Sequence, residues 1–208
     1  MAELDPIVFV VDDDALVRRS MERLIRIAGF KVLTFESAQH FLGYHRSEGP
    51  ACLVLDVRLP GLSGLDLQRE LSQSGEQIPI VFLTGHGDIP MSVRAMKAGA
   101  VEFLTKPVKQ RILLEAIQSA VERDRVTCQA RAATDDLRAR YEKLTPRERE
   151  VMRLVVTGRL NKQVADELKA AERTIKFHRS HIVQKMGAES LADLVRMAEK
   201  LGISAQSD

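Results

Sequence analysis

Ile7-Val8-Phe9-Val10-Val11-Asp12-Asp13-Asp14 is the stretch from which the fold is read. Five consecutive apolar, β-prone residues describe a strand buried on both faces; a half-exposed strand would alternate apolar with polar residues. Three aspartates follow at once, and their carboxylates suit the unpaired backbone N–H groups of a helix start. The helix places Val17, Met21, Leu24, Ile25 and Ala28 on one face, and Gly29 ends it.

Moving outward, the unit recurs. Val32-Leu33-Thr34-Phe35 precedes Ser37 and a helix through Phe41 and Leu42. Cys52-Leu53-Val54-Leu55 ends in Asp56, then Arg58-Leu59-Pro60-Gly61 and a helix from about Leu65. Ile80-Val81-Phe82-Leu83 ends in Thr84, followed by Gly85-His86-Gly87-Asp88 and a helix over 91–98. Val101-Glu102-Phe103-Leu104 ends in Thr105-Lys106-Pro107, with a last helix from about Gln110. Strands alternating with helices at this spacing predict an α/β domain, a doubly wound, five-stranded parallel sheet with helices on both faces. Right-handed crossovers leave few topologies, and the active crevice of such a sheet lies beyond the carboxyl ends of its strands.

Composition narrows the function. At about 150 residues per domain, 208 residues suit one large or two modest domains. With 45% hydrophobic and 29% charged residues, wholesale disorder is excluded. No apolar run approaches the roughly 18 residues of a membrane span, and the N-terminus lacks the basic-then-apolar order of a secretory signal. Cys52 and Cys128 form no CxxC pair, which excludes a zinc knuckle or disulfide framework and suits a reduced, cytoplasmic protein. The absence of Trp, with 4% aromatics, weighs against a base-stacking single-strand binder. The net charge of +2 hides an asymmetry: 14 Lys/Arg against 17 Asp/Glu over residues 1–124, but 12 against 9 over 144–208. A basic back half points toward nucleic acid.

Asp12, Asp13, Asp56, Thr84 and Lys106 each follow an apolar strand, so the sheet brings them from four strands to one edge. Any one of them could be a mere cap or turn; three carboxylates, a hydroxyl and an ammonium together suggest chemistry. Clustered carboxylates call for a cation, and oxygen donors suit Mg²⁺ (or Mn²⁺). A carboxylate can attack phosphorus, with the metal offsetting phosphoryl charge, Lys106 pairing with one phosphoryl oxygen and Thr84 donating to another.

On these residues, together with Val10-Val11, Leu55, Pro60-Gly61 and Pro107, residues 5–120 resemble the receiver domain of two-component response regulators. The resemblance implies a CheY-like sheet of order 2-1-3-4-5. It also implies that Asp56 accepts a phosphoryl group from the phosphohistidine of a sensor histidine kinase. Asp13, Asp56 and the Arg58 carbonyl would bind Mg²⁺, with Asp12 acting through water, and the Lys106–Pro107 bond would be cis. Thr84 and Phe103 would form the switch, with Phe103 in a place where many relatives have Tyr, and 91–121 would be the output surface. Arg58 and His86 would flank the phosphoryl group and slow its hydrolysis. As ordinary loop and core residues, Arg58, His86 and Phe103 would need no such role.

Residues 122–143 are charged, rich in Ala and Arg, and free of Gly and Pro, which predicts a helical linker with a thin apolar stripe of Val126, Ala130, Ala133 and Leu137. The last helix of the 1–121 domain would continue through it.

Residues 144–208 read as a small all-α domain of four helices. Thr145 caps the first, with Pro146 at its first position and Glu148 three residues beyond the cap. Asn161 starts the second, about Glu172 to Met186 the third, and Ser190 caps the fourth. In the third, Ile175, Ile182 and Met186 form a core stripe, opposite Arg173, Phe177, Ser180 and Gln184, with Lys176 and His181 flanking. From Lys169 to Lys185 inclusive there are five Lys/Arg and one acidic residue. That face suits the major groove, although a solvated basic face would show the same charge. Leu144-Thr145-Pro146-Arg147-Glu148, Gly158-Arg159-Leu160-Asn161-Lys162 and Thr174-Ile175-Lys176-Phe177-His178 are similar to the LuxR-type helix-turn-helix. With the receiver, nearly the whole chain resembles the NarL/FixJ family of transcriptional regulators. The resemblance implies that Lys176, Phe177 and Ser180, with Gln184 beside them, face bases, and that Lys162, Arg173, Arg179 and Lys185 favour phosphates. It implies a kinase and double-stranded promoter DNA as partners, RNA polymerase at the promoter, and a homodimer on phosphorylation. Ala170-Ala171 stands where the family usually has Ser or Thr, which predicts weaker capping of the third helix and a weaker backbone phosphate clamp there.

Two other classes stay in view. An aspartyl-nucleophile phosphatase often carries a second carboxylate two residues after its nucleophile, where Arg58 stands here. A ligand-sensing helix-turn-helix regulator would not need the acidic cluster with Lys106.

Overall fold

The computed structural model describes residues 5–45, 49–85 and 88–203. The chain divides into two compact units, Met1–Gln129 and Ala130–Asp208.

The first unit is a five-stranded, all-parallel sheet of order β2-β1-β3-β4-β5. The strands are β1 (Ile7–Val11), β2 (Lys31–Phe35), β3 (Ala51–Leu55), β4 (Ile80–Thr84) and β5 (Glu102–Thr105). Between them run α1 (Ala15–Ile27), α2 (Ala38–Leu42), α3 (Gly64–Gln73) and α4 (Ile89–Lys97). Both sheet faces are covered, which is why the central strands read as unbroken apolar runs. Phe9, Val11, Leu53, Leu55 and Phe82 pack with Phe41, Leu67, Leu71 and Ala95 of α2, α3 and α4. Val8, Val10, Val54, Val81 and Leu83 pack on the other side with Ile25 of α1 and Leu113, Ile117 and Val121 of the next helix.

Register aligns the carboxyl ends. Val11 lies opposite Leu55, Leu55 opposite Phe82, and Thr84 opposite Thr105. The residues that follow, Asp12, Asp56 and Lys106, are therefore delivered to one edge. The helix starts are capped as their side chains dictate: Asp14 accepts from Leu16 N and Val17 N, Ser37 from His40 N, Ser63 from Asp66 N, and Asp88 from Met91 N. Asp88 sets α4 two residues ahead of the sequence expectation, and Pro90 fits its first turn, where no intrahelical N–H bond is lost.

One helix, α5 (Gln110–Glu142), spans 33 residues. Its first part belongs to the core of the first unit, and buried Asp124 accepts from Ala51 N at 2.8 Å, tying it to the start of β3. Ala130 and Ala133 are exposed, and so is Val126. Leu137 is buried again, and Tyr141 packs against the core of the second unit. The helix thus runs through the stretch read as a linker.

The second unit adds α6 (Pro146–Val155), α7 (Asn161–Glu167), α8 (Glu172–Met186) and α9 (Leu191–Lys200). Its core joins Val151, Met152 and Val155 of α6, Val164 of α7, Ile175, Ile182 and Met186 of α8, and Leu194 and Ala198 of α9. Thr145 and Glu148 form a reciprocal capping box. Glu148 Oε2 also takes the Lys185 ammonium at 2.6 Å, which ties α6 to α8. Arg140 Nη1 donates to the Met186 carbonyl at the end of α8 at 3.0 Å. No helix among the described residues is long and apolar enough to cross a membrane.

Burial presses the Glu148 carboxyl up, but the bonds from Lys185 and Thr145 outweigh it and hold its pKa below the ordinary glutamate value. A lowered folded-state pKa supplies stability that is complete above the ordinary glutamate range and is lost as pH falls through the folded value. Glu148→Gln is expected to destabilise the second unit by about 1–3 kcal/mol at neutral pH and to flatten its acid dependence. Amide hydrogen exchange in α6 and α8 across pH checks both.

Candidate functional site

The site is built from the loops after β1, β3 and β5. Asp12 and Asp56 are almost fully buried, Asp13 is exposed, and Lys106 reaches over both buried carboxylates. Lys106 Nζ lies 2.5 Å from Asp12 Oδ2 and 2.7 Å from Asp56 Oδ2. Desolvation presses the lysine pKa down, yet the two carboxylates outweigh it and hold the ammonium above its ordinary value. The remaining oxygens are held by backbone: Asp12 Oδ1 accepts from Asp14 N at 2.9 Å, and Asp56 Oδ1 from Arg58 N at 3.0 Å.

The carboxylates of Asp12, Asp13 and Asp56 offer ligand atoms that all lie within 4.8 Å of one another, a cluster able to hold a metal ion. The donor set fits a hard divalent cation, since all three side chains offer oxygen. The electrostatics fit as well. Burial pushes the Asp12 carboxyl up against the pull of Lys106 and the Asp14 amide, and a cation beside it favours the charged form.

Thr84 is fully buried at the end of β4, and its carbonyl accepts from Lys106 N at 2.8 Å. Phe103 is half-buried, its ring centroid 5.9 Å from that of Phe82. The Lys106–Pro107 bond is cis. Arg58 is exposed, with its amide on Asp56; His86 lies outside the described residues.

Two supports escaped sequence reading. Arg18, in the first turns of α1, donates Nη1 to the Asp12 carbonyl at 2.7 Å and braces the acidic loop. Gly64 lets α3 start against the loop after β3: a Cβ there would sit 2.2 Å from the Asp56 carbonyl oxygen. A basic residue on the strand-facing side of the first helix and a glycine after a capping serine were the signals available.

On α8 the expected residues divide. Arg173, Lys176, Phe177, Ser180 and Gln184 are exposed, as is Lys162 on α7. Ile175, Ile182 and Met186 are buried, and His178 is half-buried beside that stripe. Arg179 and Lys185 turn inward instead: Arg179 donates to Asn161 Oδ1 at 2.7 Å, and Lys185 is held by Glu148. The α7–α8 turn has Lys169 at φ 48°, and Ala171 begins α8 with no side-chain cap.

Residues 8–118 match the response regulator receiver domain, and 142–198 match the luxR family of bacterial regulatory proteins. The chain is 54% identical to Nodulation protein W of Bradyrhizobium diazoefficiens, over 98% of this chain and 90% of that protein. It is 42% identical to transcriptional regulatory protein FixJ of Rhizobium meliloti, over 93% of this chain and 95% of that one. Among solved structures, response regulator StyR aligns with a TM-score of 0.85 at 50% identity, covering 95% of this chain and 100% of that one. An acidic strand-edge cluster with its lysine, a helical unit with an exposed basic helix face, and both domain matches in one order lead to one family. The chain belongs to the NarL/FixJ response regulators, transcriptional regulators that join a receiver domain to a LuxR-type DNA-binding domain and are not turnover enzymes.

Proposed function

We propose that Asp56 is the phosphoacceptor of this regulator and that its phosphorylation controls DNA binding by α8. The observation that carries this reading is the Lys106 ammonium held on the Asp56 and Asp12 carboxylates beside Asp13. An Asp56 oxygen attacks the phosphorus of a kinase phosphohistidine. The O–P bond forms as the P–N bond breaks, and the electron pair leaves with the imidazole nitrogen. Lys106, already 2.7 Å from Asp56, pairs with a phosphoryl oxygen, and the Thr84 hydroxyl donates to another. Asp12, Asp13 and Asp56, with the Arg58 carbonyl, would hold Mg²⁺, which when bound offsets charge on the transferring group.

The new group adds about −1.5 to −2 of charge at a buried edge. Thr84 moves toward it, and Phe103 turns further inward behind Thr84, reshaping the α4–β5 surface. That surface carries exposed Ile89, Val93 and Met96 on α4, an apolar patch suited to a second copy of the chain. Dimerisation brings two α8 helices to paired half-sites of double-stranded DNA. Arg58, exposed two residues after Asp56 with its amide on that carboxylate, slows attack by water in this reading. The domains of this reading are 1–121, a helical connection over 122–143, and 144–208.

Incubation with Mg²⁺ and acetyl phosphate is expected to add the mass of one phosphoryl group to the wild type and none to Asp56→Asn, with a shift to dimer size only in the former. Equal labelling of Asp56→Asn refutes the assignment. Arg58→Ala is expected to speed loss of the label several-fold, followed by mass over time. For duplex DNA from a random pool, Lys176→Ala is expected to cost about 1–3 kcal/mol and relax sequence preference, while Arg173→Ala weakens binding across sequences and lowers the salt slope by about one. Titrations at several salt concentrations separate the two.

A further inference from the structure

The exposed face of α8 carries an apolar ring among its polar residues. Phe177 is 56% exposed, in line with Arg173, Lys176, Ser180 and Gln184. An isolated exposed aromatic needs no explanation, but this one is braced. His181, one turn further along α8, places its ring centroid 4.1 Å from that of Phe177 at an interplanar angle of 50°. Behind it, His181 Nδ1 is 3.8 Å from Glu148 Oε1. Glu148 is itself immobilised by Thr145 N at 2.8 Å and Lys185 Nζ at 2.6 Å. A buried, fixed carboxylate on α6 therefore backs an imidazole, and the imidazole backs the phenyl ring. His178 offers a second edge, with its centroid 6.1 Å from that of Phe177.

An apolar ring held rigid on a groove-facing helix has one apolar partner among base edges in the major groove, the C5-methyl of thymine. We propose that Phe177 reads a thymine methyl in each half-site and that His181 is the positioning residue that holds the ring there. Phe177 brings no donor or acceptor, so its contribution is selective for the methyl rather than for a hydrogen-bond pattern. A ring already resting on His181 before binding would lose less side-chain freedom on contact. The inference rests on the reading that this face of α8 meets DNA.

The test uses the full chain treated with acetyl phosphate and a duplex that the wild type selects from a random-sequence pool, with each thymine replaced in turn by uracil. Uracil differs only by the methyl. At one thymine per half-site the replacement is expected to weaken wild-type binding about fourfold, the worth of one buried methyl-sized group. Phe177→Ala should be indifferent to that replacement. His181→Leu should lose much of the thymine preference, and His181→Phe, which keeps a ring against Phe177, should restore it. In a Phe177→Ala background, His181→Leu should change nothing further, as a double-mutant cycle requires of a residue acting through another. Wild-type indifference to uracil everywhere, or undiminished sensitivity in Phe177→Ala, overturns methyl reading. Full thymine preference in His181→Leu overturns the positioning role. The underlying assignment fails differently: Arg173→Ala, Lys176→Ala and Phe177→Ala would then all bind like the wild type.

Discussion

The Lys106 ammonium, shared between Asp12 and Asp56, is the contact on which the first unit's chemistry depends. Two carboxylates withdrawn from water at one strand edge repel each other and lose hydration, and a cation between them is the least costly remedy. This remedy demands topology. β1 and β3 must be neighbours for Asp12 and Asp56 to meet, and β5 must end level with them although β4 lies between. The order β2-β1-β3-β4-β5 satisfies both conditions, with Thr84 at the end of the intervening strand and its carbonyl bonded to the Lys106 amide. Lys106 thus stabilises the resting edge and, on the proposed function, is in place to meet the charge that phosphorylation would add.

The helical unit applies the same economy with Glu148. One buried carboxylate closes the capping box of α6, anchors Lys185 of α8 and backs His181. The tail of α5 belongs to this unit as well. Leu137 is buried, Arg149 lies 5.1 Å over the Tyr141 ring, and Arg140 satisfies the terminal carbonyl of α8 at Met186. Gly187 belongs to that last contact: at φ 69° it ends α8, and a Cβ there would sit 2.6 Å from Arg140 Nη1. The end of the helical connection therefore packs with this unit ahead of Leu144, where the sequence motif starts.

What was legible in the sequence was local or repeated. Ile7–Val11 announces itself because a strand covered on both faces needs no polar residue, and α8 because its stripe repeats at the helical period. Asp12, Asp56 and Lys106 could be brought together because the strands that carry them could be counted. Contacts that neither period nor strand end encodes stayed hidden. Asp124 looks like one more charge in a charged stretch, yet it accepts from an amide 73 residues away. Arg140 looks like a solvated helix residue. Arg179 and Lys185, expected to favour phosphates, also have internal partners that basic residues on a basic helix do not announce. Their inward turn follows from acceptors on other helices, Asn161 and Glu148.

That inward turn bears on how such a regulator can be switched. With half-buried Arg179 bonded to Asn161 and half-buried Lys185 to Glu148, the fully exposed cations of α8 are Arg173 and Lys176, with Lys162 and Lys169 nearby. Each phosphate neutralised by a cation releases counterions and raises affinity, so on the proposed DNA-facing surface fewer free cations would mean a weaker grip by a single copy. Two linked copies bind with the second contact made at high effective concentration, and the combined affinity exceeds either alone by about 10²–10⁴. A strong monomeric grip would bypass that gain and leave occupancy insensitive to phosphorylation. On the proposal that phosphorylation of Asp56 pairs two copies, a helix that engages part of its charge in its own scaffold would keep DNA binding dependent on that pairing.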